Sequence, residues 1–196
     1  MPALLIALVF LLASANAEPQ AGTAERVEPP TPLYALPFPV GKSYLCLQGF
    51  DEPYSHFGVF AYSVDFYMPI GTEITAARSG QVVFIRDGYE DSDHAAGHEN
   101  VVVVRHEDGT YARYVHLTAR GARVRWGQEI RLGEVIGVSG NSGSSVMPHL
   151  HFDITGENMD RAAQTVPFAF KNARPPHEEL RRGVIYEALP YRRQEW

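Results

Sequence analysis

The chain has 196 residues, 45% hydrophobic and 11% aromatic, enough for one packed domain and short for two. A formal charge of -6 argues against nucleic acid as a partner, and 17 Gly with 14 Pro favour a turn-rich β fold over a helical bundle. The single cysteine, Cys46, excludes an internal disulfide and reads as a small buried side chain in a strand.

The N-terminus, MPALLIALVFLLASANAEPQ, carries an apolar run from Ala3 to Leu12, then Ala15 and Ala17 in an A-x-A arrangement. Residues 1–17 read as a secretory signal cut after Ala17; its n-region lacks Lys and Arg, so an uncleaved anchor is the alternative. No other segment suits a bilayer span, and the expectation is an exported protein, periplasmic or secreted, with no integral membrane segment after signal removal. Residues 18–40 are rich in Pro and polar side chains, a flexible leader that becomes extended near Tyr34.

From residue 41 to 170 short β-rich runs alternate with turns: SYLCLQG, YSVDFYM, EITAAR, GQVVFIRDG, NVVVVRH, TYARYVHL, EVIGVSG and LHFDI. Asp108-Gly109 is a hairpin signal between the fifth and sixth runs. PIGTEITAARSGQVV and RWGQEIRLGEVIGVSG echo each other in glycine spacing. The expected fold is therefore all-β, a compact sandwich- or barrel-like domain with a duplicated motif and few short helices. TVPFAFKN reads as an edge strand, and residues 171–196 as a tail packing over the domain.

PHLHFDI raises the chemical question. In a strand, residues i and i+2 share a face about 7 Å apart, so His149, His151 and Asp153 face one way and Leu150, Phe152 and Ile154 the other. The second set is a core face; the first makes sense if its groups converge on a divalent metal beside a polarised water. Alone, H-x-H is a weak signal that more often marks two solvated or hydrogen-bonded histidines. His116, at the end of YVHL and aligned with Tyr114, and His56 and Asp65, in SHFGVFAYSVDF, supply further candidates for a three-ligand site with one open position. No H-E-x-x-H helix motif is present.

Four segments, VDFYMPIGTEITAARSGQVV, HENVVVVRHEDGTYARYVHL, VRWGQEIRLGEVIGVSGNSGSS and PHLHFDI, taken in that order, resemble the lysostaphin-type zinc metallopeptidases over residues 45–156. That family cuts peptide bonds in bacterial peptidoglycan. The resemblance implies that Asp65 and His151 bind Zn²⁺ with His56 as third ligand, and that His116 and His149 are unliganded histidines acting on the water and the oxyanion. Two neutral imidazoles and one carboxylate leave zinc net positive, and a nearby imidazole then serves as base in place of the usual Glu. The implied substrate is the peptide stems or cross-links of peptidoglycan.

One departure matters. The family's first His commonly stands four residues before the Asp, where this chain has Ala61; His56 is nine ahead, and Gly58 lets that segment loop back. His94 and His98, in the acidic stretch DSDHAAGHEN, compete for the place. His106 reads as a hydrogen-bonding residue near the hairpin and His177 as solvated. Asp153 reads as a partner of a histidine or as a surface group. Tyr114 and Asn141 are cleft-lining candidates, Tyr114 equally a packing residue, and Gly140–His149 a groove wall. The alternative function is a non-catalytic peptidoglycan-binding regulator of another hydrolase, a role in which ligands are typically lost. A biotinyl-type carrier would need a Lys in an exposed hairpin, which Lys42 and Lys171 do not provide.

Overall fold

The computed structural model describes residues 33–156, 158–160, 162–176 and 180–191. The expected signal, most of the leader and His177 lie outside the described residues. The strands are β1 (Leu33–Tyr34), β2 (Ser43–Gln48), β3 (Ser63–Tyr67), β4 (Glu73–Thr75), β5 (Gly80–Arg86), β6 (Val101–Arg105) and β7 (Tyr111–Val115). There follow β8 (Leu117–Ala122), β9 (Glu129–Ile130), β10 (Val135–Ser139), β11 (His149–Thr155), β12 (Ala169–Phe170), β13 (Ala173–Arg174) and β14 (Ile185–Ala188). Among the described residues the helical element is one 3-10 turn, Gly58–Phe60.

A nine-stranded sheet runs β13-β14-β2-β3-β11-β7-β6-β5-β9, beside a three-stranded sheet β4-β10-β8 and a parallel pair β1-β12. The sheets are open, so the fold is of the sandwich kind and not a closed barrel. The expected alternation holds in β11: Leu150, Phe152 and Ile154 are wholly buried, opposite Phe66 and Val64 of β3 and Tyr114 and Ala112 of β7. One apolar cluster joins this face to Ile74 and Ile136 of the small sheet and to Phe168 and Phe170. Each such side chain contributes roughly 1.5–3 kcal/mol by leaving water.

Two expectations need correction and a third, the tail against the domain, gains detail. Tyr34, Leu36 and Phe38, placed in the leader, are buried in the core, so packing begins ahead of residue 41. The tail is woven into the large sheet, with β14 pairing antiparallel to β2 and β13 beyond it. His116 does not share a face with Tyr114. It adopts φ 66°, a left-handed backbone that ends β7 and turns its ring away from the core face that holds Tyr114.

Candidate metal and catalytic site

The site is floored by the other face of β3, β11 and β7. Residues opposite in register share a face, so His151 lies between Asp65 and Val115, and Asp153 between Ser63 and Arg113. His151 Nδ1 is 2.9 Å from Asp65 Oδ1, and its Nε2 donates to Asp153 Oδ2 at 3.0 Å. Arg113 grips Asp153 with two prongs, Nε to Oδ1 at 2.6 Å and Nη2 to Oδ2 at 2.8 Å. A bulge between the β2–β3 pairs at Cys46 and Gln48 re-aims β2, leaving Cys46 in the core and bringing Gln48 opposite Asp65. Gln48 Nε2 then donates to Asp65 Oδ2 at 2.7 Å.

His56 arrives from the loop between β2 and β3. The 3-10 turn at Gly58–Phe60 and an Asp51 N–H to Ala61 carbonyl bond of 2.8 Å fold that loop back on itself. The buried His56 ring donates from Nδ1 to the Gly49 carbonyl at 2.8 Å, which aims Nε2 at Asp65 Oδ2, 3.2 Å away. Gly49 admits no side chain, because a Cβ there would lie 2.1 Å from the Leu180 carbonyl oxygen. Phe60 of the same loop sets its ring edge-on to His151, centroids 6.4 Å apart.

His116 and His149 form a second pair, ring centroids 4.5 Å apart. His116 Nδ1 donates to the Ser142 carbonyl at 2.7 Å and His149 Nδ1 to the Met147 carbonyl at 2.8 Å. Both bonds fix the Nδ1–H tautomer and leave the Nε2 lone pair for the cleft, that of His149 3.8 Å from Asp65 Oδ1.

Burial would raise the Asp65 carboxyl, but the hydrogen bond to His151 and the close imidazole of His56 hold it well below the usual carboxylate range. Burial would equally lower His151, yet Asp153 and Asp65 push it up to about 9. His116 goes the other way, to about 3, through burial and the neighbouring His149 and His151. Burial also lowers His149. Two carboxylates flanking one imidazole call for positive charge between them.

A divalent cation fits that demand. The ligand atoms of His56, Asp65 and His151 all lie within 4.8 Å of one another, and buried His56 Nε2 has no hydrogen-bond partner. Bonds of about 2.1 Å in a tetrahedral zinc site set ligand atoms about 3.4 Å apart, near the 2.9 Å and 3.2 Å separations here. The outer contacts of Gly49, Gln48 and Asp153 orient each ligand as metal sites require.

Peptidase family M23 matches residues 59–163. The chain belongs to peptidase family M23. Among its M23 relatives is the peptidoglycan DD-endopeptidase ShyA of Vibrio cholerae, 36% identical over 107 residues, 54% of this chain and 23% of that protein. Lysostaphin of Staphylococcus simulans is 33% identical over 114 residues, 58% of this chain and 22% of lysostaphin. The matches thus span less than a quarter of each relative's own length. The solved catalytic domain of that lysostaphin superposes with a TM-score of 0.50 at 29% identity, covering 63% of this chain and 87% of that domain. The M23 match begins after His56, the residue whose spacing departs from the family pattern.

The structure gathers His56, Asp65, His116, His149 and His151 in one cluster and leaves the other candidates elsewhere. His98 bonds Asp93 and stacks on Tyr89, and neither it nor His94 joins the metal-capable group. His106 donates to the Ser79 carbonyl at 2.8 Å. Tyr114 is core, its hydroxyl accepting from the Ala77 N–H at 2.8 Å. Asn141 belongs to the groove wall, where its Oδ1 accepts from Ser145 Oγ at 2.8 Å. Gln48 and Arg113 escaped sequence reading. Arg113 had a signal: a lone Arg two residues from Val115 in an otherwise apolar strand must find a carboxylate if that strand pairs with β11.

Proposed function

We propose that this protein is a zinc-dependent endopeptidase that hydrolyses peptide cross-links of bacterial peptidoglycan. One observation carries the reading: three ligand atoms within 4.8 Å of one another stand beside two imidazoles whose Nδ1 atoms are tied to carbonyls and whose Nε2 atoms are left for the cleft. The names of ShyA and lysostaphin support the substrate class. His56, Asp65 and His151 would hold the ion. Zinc, when bound, supplies Lewis acidity, polarising the scissile carbonyl and acidifying a water.

The chain's own residues do the rest. A neutral imidazole with a bare Nε2, His116 or His149, takes the water's proton. As imidazolium it donates a hydrogen bond to the oxyanion and then passes the proton to the leaving amine. Asp153, held by Arg113, keeps His151 in the tautomer whose Nδ1 faces Asp65. A regulator that only binds the wall has no use for this full set. We also read residues 1–17 as an export signal; among the described residues no helix is long and apolar enough to cross a membrane.

Digestion of purified peptidoglycan with the zinc-loaded protein, followed by mass spectrometry, tests the reading. Peptide fragments with new amino termini and no new reducing sugars are expected. Inertness on all cross-links, with hydrolysis appearing only when a partner hydrolase is added, overturns it in favour of the regulator. N-terminal sequencing of envelope protein should begin at Glu18; an intact Met1 means an anchor.

A further inference from the structure

We propose that Asp91 is a positioning residue for the cleft histidines, acting through the segment Gly140–Ser145; the inference rests on the peptidase reading above. His116 is oriented by a backbone carbonyl, that of Ser142, and holds a strained left-handed conformation at φ 66°. A carbonyl in a Gly- and Ser-rich connection orients a ring only if the connection is itself held.

The holder is the loop at residues 87–99. Asp91 Oδ1 accepts the Asn141 N–H at 2.7 Å, and Asp91 Oδ2 accepts the Thr118 hydroxyl at 2.6 Å. One carboxylate thus bridges the chain two residues after His116 and the residue just before Ser142. The approach is close: a Cβ on Gly140 would lie 2.4 Å from Asp91 Oδ1 and 2.3 Å from the Thr118 nitrogen. A second tie runs from the Gly143 N–H to the Asp93 carbonyl at 2.6 Å. Ser142 is pinned further, its Oγ donating to the Leu117 carbonyl at 2.7 Å and accepting the Asn100 N–H at 3.0 Å. The same segment reaches the other histidine, for Ser145 Oγ lies 3.1 Å from His149 Nδ1. Hydrogen bonds to a carboxylate are about twice as strong as neutral ones, so Asp91 is the strongest single tie on this wall.

Four measurements on the zinc-loaded protein test this. Asp91→Ala loses both bonds and should lower kcat about 10- to 100-fold, the range for losing an outer partner, with KM and zinc content unchanged. Asp91→Asn, whose amide accepts from Asn141 and donates to Thr118 Oγ, should restore most of that loss. In a His116→Ala background the Asp91→Ala penalty should shrink to under about threefold, since the residue acts through a ring no longer there. Independently of activity, the His116 Nδ1–H resonance should be sharp and slowly exchanging in the wild type and should broaden or vanish in Asp91→Ala. A kcat within twofold of wild type in Asp91→Ala, a loss that multiplies fully with that of His116→Ala, or an unchanged Nδ1–H resonance overturns the proposal. An inert wild type, or His116→Ala at full activity, strikes the peptidase reading instead, and the resonance alone then decides the Asp91 tie.

Discussion

The floor and the wall of this cleft are built by different means. Asp65, His151, Asp153 and Arg113 stand on three central strands in unbroken register, so their spacing is set by the pleat and by a ladder of backbone bonds. His56 and His116 depend on connections, a folded-back loop and a left-handed residue, and His149, the first residue of β11, has its ring held by the Gly- and Ser-rich segment tied to residues 87–99. The floor is rigid because displacing it breaks the sheet; the wall is as rigid as its side-chain ties. Changes at the floor, and at His56 where its loop reaches the metal ligands, should therefore affect metal and stability; changes at His116 and His149 should affect turnover.

The largest break is at the floor itself. Asp65→Ala or His151→Ala should abolish zinc binding and with it activity, and full zinc occupancy by metal analysis in both variants would end the assignment. Arg113→Met strips the buried Asp153 carboxylate of its guanidinium, leaving only the His151 bond, and should cost about 3–5 kcal/mol in urea unfolding. A cost under about 1 kcal/mol would show the pair to be dispensable to the floor. His106 probes the sheet away from the wall: burial lowers it to about 4, so the unfolded chain binds its proton more readily. Its contribution is fully present above pH 6.5 and lost as pH falls towards 4, on the order of 3 kcal/mol. Urea titrations across that window should show the decline, and His106→Phe should remove it.

At the wall, His116→Ala or His149→Ala should keep zinc while kcat falls about 10²-fold or more. Zinc loss in either would move that histidine to the metal. The smallest effect is expected where wall meets floor: Gln48 bonds both Asp65 and Ser55 of the His56 loop. Gln48→Ala should weaken zinc about tenfold with kcat little changed once zinc saturates, measured by competition with a chelator. Unaltered affinity would separate the two regions altogether.

Local pattern was enough for much of this. The period of two in LHFDI, the turn residues and the β-branched runs specify most long strands and divide β11 into a core face and a chemical face, because side-chain alternation is a property of the strand alone. The role assigned to His56 came from resemblance to a family whose usual spacing this chain does not keep. Only tertiary structure decided the rest. Which carboxylate meets His151, that Arg113 grips Asp153, and that a bulge turns Gln48 to Asp65 depend on register between strands distant in sequence. The core position of Tyr34, the weaving of β14 into the large sheet and the clamp of Asp91 on Gly140–Ser145 arise the same way. Such contacts form between segments that carry no local mark of each other, and they are chosen by the packing that leaves the fewest buried groups unpaired.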